Sequence, residues 1–399
     1  MINVAILGFG TVGSGVADVL TMNAASIEKK VGQAVNLKYI LDVRDFPDSP
    51  YQSCFVKDFA VIESDPEVDV VVETIGGARI ALEFTQRALQ AGKSVVSSNK
   101  ELVATHGYDL LQLAKANGVS YLFEASVGGG IPILRPLGNC LAANEIEHVT
   151  GILNGTTNYI LTQMVRNGAS FADALKAAQE KGYAEADPTA DVEGIDAGRK
   201  TCILADLAFG KQVDPAVVPM EGISKLCLED VDIAKNAGYR VKLLGRAIRL
   251  GEGCSAYVAP HLIPVENPIS GVEDVFNAVV VKGNATGEVM FYGRGAGELP
   301  TASACVADVM EVLQANPGRE EISWEENSSG FVDPGVLPAR RYFRVSDGMA
   351  DVAVACGQVQ KLAEGEGYTA FVTLDAIDDD EADYLAGKLN VLSSLRVLD

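Results

Sequence analysis

Five carboxylates lie within the nineteen residues of the segment GYAEADPTADVEGIDAGRK, residues 182–200. The acids are Glu185, Asp187, Asp191, Glu193 and Asp196, and they are followed directly by Arg199 and Lys200. Such a cluster can bind a metal ion, cap a helix or bind a positively charged ligand. Asp196 and Lys200 are four residues apart, so on a helix they share one face. There the acid either orients the lysine ammonium toward a reacting oxygen or forms an ordinary helix salt bridge.

A glycine-rich motif follows the apolar run INVAIL at the amino terminus. Its residues are Gly8, Phe9, Gly10, Thr11, Val12 and Gly13. The spacing G-x-G-x-x-G between a strand and a helix permits a tight turn, and the helix amides can then bind a pyrophosphate. We therefore predict a dinucleotide site here, and the alternative is a glycine turn with a structural role alone.

The second apolar run ends in LDVRD, residues 41–45, and two of its side chains bear on the choice of cofactor. An acid at this position binds the ribose hydroxyls of NAD, whereas an arginine pairs with the additional phosphate of NADP. Asp42 and Arg44 therefore indicate opposite preferences, and both could equally be ordinary surface charges.

Two more candidates follow predicted strand ends, Lys100 in SSNK and Glu124 in EASVGGGIP. Ligands of open parallel sheets bind outside the carboxyl ends of the strands, so Lys100 is expected to point into the cofactor crevice. Desolvation there would lower its pKa and suit it to proton transfer. One carboxylate with several glycine carbonyls is a ligand set for a hard cation. Alternatively, the loop admits the cofactor and Glu124 caps the next helix.

The first third of the chain alternates short apolar runs with helical patterns, which is typical of a doubly wound parallel sheet of the Rossmann type. The predicted strands are 2–7, 37–41, 68–73, 94–97 and 120–123, and the predicted helices are 11–30, 79–91 and about 107–117. After residue 145 the pattern changes to three helices, near 156–167, 170–181 and 194–209, several strands between 240 and 292, and a helix at 300–314. We expect a second α/β domain there, with a mixed sheet covered by helices.

These patterns predict a domain organisation. Residues 1–145 form an NAD(P)-binding Rossmann domain closed by 293–315, and 146–315 form a catalytic and dimerisation domain. The polar span 316–340, rich in Gly, Pro, Ser and Glu, is expected to be a linker before a small lobe at 341–399. Apolar strands near 276–291 predict a homodimer built on the second domain.

Composition limits the possible partners and location. The chain has 399 residues, with 32 basic against 54 acidic residues and a net charge of −22, so neither nucleic acid nor an anionic membrane is an expected partner. Seven cysteines without a C-x-x-C pair are typical of reduced thiols in a cytosolic protein. The sequence begins directly with a strand, which leaves no room for a signal peptide, and contains no apolar run of membrane-helix length. We therefore expect a soluble cytoplasmic protein.

Taken together, the motifs resemble the homoserine dehydrogenase family. GFGTVG, SSNK, EASVGGGIP, GILNGTTNYI, GYAEADPTADVEGIDAGRK and FYGRGAGELPTASA occur in that family's order over about residues 1–315. The resemblance implies interconversion of L-homoserine and L-aspartate 4-semialdehyde with NAD or NADP, in threonine, methionine and isoleucine biosynthesis. The alternatives are another Rossmann oxidoreductase acting on an amino acid, similar to aspartate dehydrogenase, or a nucleotide sensor without catalysis.

The resemblance also implies roles for individual residues. Lys100 and Lys200 match the two active-site lysines, with Lys200 as the proton donor. Substrate binding falls to Glu185, Asp191 and Asp196, and Glu185 is the candidate for the substrate ammonium, because a buried cation requires a carboxylate. Cofactor contacts fall to Thr74 and Gly297, besides the glycine motif, Arg44 and Lys100. A structural sodium site, built largely from carbonyls, falls to Glu124, Val127, Gly129 and Ile131.

Many bacterial members of that family end in an ACT domain, a βαββαβ module that binds regulatory ligands. The segment 341–399 has about the right position but is short. It lacks the Pro-Gly-Val-Leu turn and the helix that normally follow the first strand. We expect a degenerate or truncated ACT-like lobe. Whether threonine inhibits the protein through this lobe is left open.

Overall fold

A computed structural model of the chain describes residues 1–314, 322–326 and 330–398. Two compact units emerge from the contacts between residues. Unit 1 comprises Met1–Glu145, Cys202–Pro215 and Gly293–Ser328, and unit 2 comprises Ile146–Thr201, Ala216–Tyr292 and Ser329–Asp399. The functional labels that the sequence attaches to these stretches remain predictions. Throughout the described ranges, no helix is both long and apolar enough to cross a membrane.

Unit 1 contains a six-stranded sheet. Its strands are β1 Ile2–Leu7, β2 Val35–Leu41, β3 Phe55–Val56, β4 Val68–Glu73, β5 Ser94–Ser97 and β6 Tyr121–Leu122. They lie in the order β3-β2-β1-β4-β5-β6, and every neighbouring pair is parallel. The chain reverses its direction of winding between β1 and β4, which opens a crevice at the carboxyl ends of these strands. The predicted Rossmann-type sheet is confirmed.

The α-helices of the described residues are α1 Thr11–Met22, α2 Ala24–Val31, α3 Phe59–Ser64, α4 Arg79–Gln90, α5 Lys100–Asn117, α6 Gly155–Asn167, α7 Phe171–Glu180, α8 Thr189–Val192, α9 Ile195–Phe209, α10 Leu228–Asn236, α11 Glu298–Leu313, α12 Met349–Cys356 and α13 Asp379–Ala386. Helix α11 packs in unit 1, where Ala302, Cys305 and Val309 share one buried cluster with Val4 and Val16. A segment near residue 300 therefore completes the core of the amino-terminal sheet.

Two predicted helices of unit 1 had the wrong bounds. The single helix expected at 11–30 is divided at Asn23 into α1 and α2. Helix α5 begins at Lys100 rather than near 107, because the Asn99 side chain accepts a hydrogen bond from the amide of Leu102 at 3.0 Å and caps the helix there. The helix continues through Gly107, where a Cβ would lie 2.6 Å from the ring of Trp324.

A nine-stranded sheet dominates unit 2. Its strands are β7 Ile146–Ile152, β8 Tyr239–Leu250, β9 Gly253–Pro264, β10 Phe276–Gly283, β11 Gly287–Arg294, β12 Arg341–Val345, β13 Val359–Gly365, β14 Tyr368–Thr373 and β15 Val391–Val397. They lie in the order β11-β10-β7-β8-β9-β15-β12-β14-β13. The β9–β15 pair is parallel, whereas β7 pairs antiparallel with β8 and β10. This is the predicted mixed sheet.

The carboxyl-terminal segment contributes the last four strands of that sheet. Its elements follow the order β12-α12-β13-β14-α13-β15. The expectation that no helix follows the first strand was wrong, since α12 occupies Met349–Cys356 and buries Val352. Ligand binding by this lobe remains a prediction. Of the predicted linker 316–340, residues 316–321 and 327–329 lie outside the described residues.

Candidate functional site

The acidic segment around residue 190 supplies a buried ion pair in unit 2. Helix α9 places Asp196 and Lys200 on one face, and the ammonium of Lys200 donates to Asp196 Oδ2 at 2.8 Å. The same ammonium donates to the main-chain carbonyl of Leu153 at 2.8 Å. Lys200 is 7% exposed and Asp196 3% exposed. Their burial distinguishes this pair from an ordinary surface salt bridge, because both side chains are held in one geometry away from bulk water.

Asn154 joins this pair to a second carboxylate. Its Nδ2 donates to Asp191 Oδ1 at 2.7 Å and to Asp196 Oδ2 at 2.9 Å. Its Oδ1 accepts from the amide of Thr157 at 2.9 Å and caps helix α6. Sequence reasoning missed this residue as part of the site. An asparagine immediately before the Gly-Thr-Thr start of a helix is a capping signal, but that signal gives no indication of the two carboxylates.

The electrostatics of this group favour the protonated form of Asp191. Burial and the negative charge of Asp196 raise the pKa of Asp191, against the hydrogen bond from Asn154 and the positive charge of Lys200. An ammonium fixed between a carboxylate and a carbonyl can deliver a proton to an oxygen placed beside it and can recover one afterwards. We call Lys200, Asp196, Asn154 and Asp191 the lysine cluster.

The structure separates the other acids of the segment from this cluster. Glu185 is exposed, and its main-chain carbonyl accepts a hydrogen bond from Gln179 at 3.1 Å. Asp187 accepts from the amide and the hydroxyl of Thr189 at 3.1 and 2.6 Å, at the start of α8. These acids thus have different environments. Of the three predicted to bind substrate, Asp191 and Asp196 share the hydrogen bonds of Asn154 beside Lys200, whereas Glu185 is exposed.

In unit 1, the glycine motif forms a tight turn between β1 and α1. Gly8 has a φ of +90°, and a Cβ on Gly13 would lie 2.0 Å from the carbonyl oxygen of Gly8. The Thr74 hydroxyl donates to the carbonyls of Leu7 and Gly8 at 2.9 and 3.0 Å. Within the described residues, no atom lies within 4 Å of a Cβ built on Gly10, the residue before α1. The turn fits a pyrophosphate, since the first amides of the helix lie beside open space.

Asp42 closes this turn from the end of β2. Its Oδ2 accepts from the amide of Phe9 at 2.8 Å, and its Oδ1 accepts from the amide of Arg44 at 2.9 Å. Burial opposes ionisation, but the hydrogen bonds from Arg44 and Phe9 lower the pKa of Asp42 to about 2. The Arg44 guanidinium also donates to Asp42 and remains 60% exposed. Asp42 therefore holds the loop, and Arg44 presents a positive charge at its surface.

The remaining predicted cofactor residues are Lys100 and Gly297. Lys100 lies at the crevice of the sheet in unit 1, and Gly297 lies directly before a helix. Lys100 is the first residue of α5, directly after the carboxyl end of β5, and is partly buried. The residue before it, Asn99, donates from Nδ2 to the carbonyls of Ile75 at 3.0 Å and Gly77 at 2.8 Å. Gly297 has a φ of +126° and precedes α11, so a side chain there would strain the turn.

Glu124, predicted to bind a cation, has its carboxylate engaged by main-chain amides. Oε1 accepts from the amides of Ile133 and Leu134 at 2.6 and 2.9 Å, and Oε2 accepts from the amide of Arg135 at 2.8 Å. This geometry agrees with the alternative that Glu124 caps the next helix, because the three amides lie directly before the helical turn Pro136–Cys140. In the parts of the chain that the structure describes, no group of three or more His, Cys, Asp or Glu side chains is placed to hold a metal.

A cation in this loop would therefore depend on main-chain carbonyls of the kind predicted at Val127, Gly129 and Ile131. The loop is tightly packed: a Cβ on Gly129, whose φ is +55°, would lie 2.4 Å from the carbonyl oxygen of Gly295. Asp308 accepts from the amide of Glu124 at 2.8 Å. Burial raises the pKa of Asp308 to about 8, although the charge of Arg135 opposes the shift.

Comparisons with known proteins agree with this geometry. The family "Homoserine dehydrogenase" matches residues 132–310, and "Homoserine dehydrogenase, NAD binding domain" matches residues 8–124. A homoserine dehydrogenase of Neisseria gonorrhoeae is 45% identical over 317 residues, which cover 78% of this chain and 72% of the relative. The crystal structure of a homoserine dehydrogenase from Thiobacillus denitrificans has a TM-score of 0.92 at 37% identity, covering 100% of this chain and 98% of that one. A hyperthermophilic archaeal homoserine dehydrogenase in complex with NADPH has a TM-score of 0.68 at 26% identity, covering 80% of this chain and 99% of that one.

Proposed function

The chain belongs to the homoserine dehydrogenase family and is an oxidoreductase with an NAD-binding domain, and from this premise we propose that Lys200 is its proton donor. The observation that carries the proposal is the lysine cluster, in which Asp196 and the Leu153 carbonyl fix the ammonium of Lys200. When bound, a nicotinamide cofactor would supply the hydride for the aldehyde carbon of L-aspartate 4-semialdehyde. Lys200 protonates the oxygen, and in the reverse direction it accepts the proton of the homoserine hydroxyl.

The carboxylates around Lys200 have distinct proposed roles in substrate binding. Asp196 aims the ammonium, and Asp191, held by Asn154, lines the substrate pocket. Glu185, whose side chain is exposed, attracts the substrate ammonium. Lys100, at the carboxyl end of β5, is the second active-site lysine and polarises the carbonyl. The decisive assay follows nicotinamide oxidation with L-aspartate 4-semialdehyde, with NADH and NADPH side by side, and absence of turnover with both cofactors would reject this function.

The proposed cofactor contacts use the main chain of unit 1 and one exposed cation. The turn from Gly8 to Gly13 binds the pyrophosphate, while Thr74 and Gly297 shape the surfaces beside it. Arg44 pairs with the additional phosphate of NADPH, so we propose that NADPH is usable as well as NADH. The exposed guanidinium of Arg44 and the archaeal homoserine dehydrogenase in complex with NADPH support this proposal.

A homodimer is proposed on one face of the nine-stranded sheet. In the register of β10, β7 and β8, Val280 lies opposite Thr150 and Thr150 opposite Arg246, so these side chains share a face. Tyr292 stacks on Phe276 at 5.2 Å and is 54% exposed. Met290 on the same strand as Tyr292 is 41% exposed, and exposed apolar side chains that cluster on a sheet mark candidate subunit interfaces. Light scattering at micromolar concentration tests the proposal: Tyr292→Lys should shift the mass from dimer to monomer, and a monomeric parent chain would reject it.

A sodium ion and a biosynthetic role complete the proposal. A sodium ion held by carbonyls of Val127, Gly129 and Ile131, with Glu124 nearby, would stabilise the loop without touching substrate. A high-resolution map without density ringed by these carbonyls would reject the ion.

We also propose that the enzyme acts in the cytoplasm. Because the reaction of its family forms homoserine, we place it in threonine, methionine and isoleucine biosynthesis.

A further inference from the structure

Glu73, at the carboxyl end of β4, is a fully buried carboxylate that the proposed reaction leaves unused. Its Oε1 accepts from the amide of Ile75 at 2.6 Å, and its Oε2 accepts from the hydroxyl of Ser97 at 2.6 Å. Burial raises the pKa of Glu73 to about 7, although the hydrogen bonds from Ser97, Ile75 and Asn99 oppose the shift. The group is therefore close to its midpoint of ionisation at neutral pH.

The hydrogen bonds continue from Glu73 to the predicted cofactor and catalytic residues of unit 1. Ser97 Oγ accepts from the amide of Asn99 at 3.0 Å. Asn99 donates to the carbonyls of Ile75 and Gly77, and its Oδ1 caps the helix whose first residue is Lys100. One carboxylate thus fixes, through two side chains, both the loop after Thr74 and the start of α5.

The charge state of Glu73 decides whether this network persists. An ionised carboxylate accepts at both oxygens, whereas a protonated one must donate at one of them. Protonation would therefore deprive either the Ile75 amide or the Ser97 hydroxyl of its acceptor. Among the described residues, the hydroxyl of Tyr121 and the thiol of Cys305 are titratable groups on which the charge of Glu73 acts. Both are neutral at pH 7, because burial and the charge on neighbouring acids raise their pKa.

We propose that Glu73 is a positioning residue, whose ionised carboxylate holds Lys100 and the 74–77 loop, through Ser97 and Asn99, in the arrangement that turnover requires. The proposal rests on the proposed roles of Lys100 and Thr74. It implies that activity and stability depend on pH in opposite directions. The folded-state pKa of Glu73 lies above the ordinary value of 4.5, so its contribution to stability is complete below pH 4.5 and is lost as the pH rises through about 7. Activity depends on the ionised form and rises over the same interval.

The test is the Glu73→Gln variant, measured in two ways. At saturating substrates, the parent enzyme should show an acid limb in kcat with a pKa near 7. Glu73→Gln should lack that limb and lose about ten- to hundredfold in kcat at pH 8, since small displacements of reacting groups have effects of that order. Without cofactor, the variant should unfold at pH 8 at a temperature no lower than the parent, while the amides of Ile75 and Leu102 exchange hydrogen faster.

Two further variants separate the possible outcomes. Ser97→Ala breaks the link but keeps the carboxylate, so kcat should fall. The cofactor-free protein should still lose stability as the pH rises, with a midpoint no lower than the parent's, because the hydrogen bond that lowers the pKa of Glu73 is lost. If Glu73→Gln keeps full kcat at pH 8, or retains the acid limb, the positioning role is rejected. If Lys100→Ala keeps full activity, the role of Lys100 fails and this proposal fails with it. If Lys100→Ala is slow while Glu73→Gln is not, only the role of Glu73 fails.

Discussion

The dinucleotide turn of unit 1 and the lysine cluster of unit 2 are built from different parts of the chain. In the turn, the proposed binding groups are main-chain amides, and side chains such as Thr74 and Asp42 hold that main chain. In the lysine cluster, the side chains of Lys200, Asp196 and Asn154 bond directly to one another. A site built from main-chain amides depends on glycines at the positions where a side chain would block the turn or the ligand. A side-chain cluster depends on exact partners, so substitutions in the two regions should impair different kinetic constants.

The largest effect is expected at Lys200. Lys200→Ala removes the proposed proton donor, so kcat should fall by about 10²–10⁴-fold, which is typical of losing one acid–base group. Cofactor affinity, measured by nicotinamide fluorescence, should stay unchanged. Lys176→Ala, at an exposed position of α7, is the matched control and should have parental kinetics. A variant with lowered thermal stability but unchanged kinetics would show that the pair with Asp196 is only a salt bridge.

Substitutions of glycines in the turn should instead lower the affinity for the cofactor. Gly13→Ala places a Cβ 2.0 Å from the Gly8 carbonyl, and such overpacking costs about 1–3 kcal/mol, or about six- to 150-fold in the cofactor Kd if the turn distorts. Gly10→Ala meets no neighbouring atom within 4 Å in the described chain. It should fold with the parental melting temperature and still weaken cofactor binding, because the new methyl occupies the space of the pyrophosphate. Equal affinity of Gly10→Ala and the parent would contradict the proposed site.

A smaller effect is expected at Glu185. Glu185→Gln keeps the shape but removes the exposed charge, and losing an exposed ion pair costs up to about 1 kcal/mol. KM for L-homoserine should therefore rise by up to about fivefold, with little change in kcat. Glu180→Gln, an exposed acid at the end of α7, controls for the general charge of this surface. A loss confined to kcat would assign Glu185 to the chemistry instead.

The smallest effect should distinguish the two cofactors. Arg44 is exposed and already paired with Asp42. Arg44→Ala should therefore weaken the binding of NADPH by about two- to fivefold and the binding of NADH hardly at all. Lys29→Ala, an exposed position on α2, controls for the overall charge of unit 1. Equal losses with both cofactors would remove Arg44 from phosphate recognition.

The difference between the two regions also explains what the sequence could predict. Strands such as β1 and β4 were predictable because strands buried on both faces are continuous apolar runs. The glycine turn was predictable because its constraint is local. Asn154 was missed because its carboxylate partners are 37 and 42 residues away. The network of Glu73 was missed for the same reason, since it is completed by a serine 24 residues away on the neighbouring strand.

Local signals also failed where tertiary contacts overrode them. The helix predicted at about 107–117 starts earlier, and α5 passes through Gly107, where the approach of the Trp324 ring leaves no space for a Cβ. The helix start at Lys100 had a readable signal in Asn99, which caps it. In the carboxyl-terminal lobe, α12 is nearly all apolar and only eight residues long, so neither amphipathic pattern nor length identified it.

The parallel pairing of β15 with β9 has a consequence for how the chain folds. Arg396 lies opposite His261, so β15 is inserted between β9, which ends at Pro264, and β12, which begins at Arg341. The central seam of the nine-stranded sheet is therefore closed by a contact between residues 135 positions apart. Such a contact closes a long loop and is slow to form. During synthesis, the five strands from β7 to β11 have an open edge at β9 until β15 has been made.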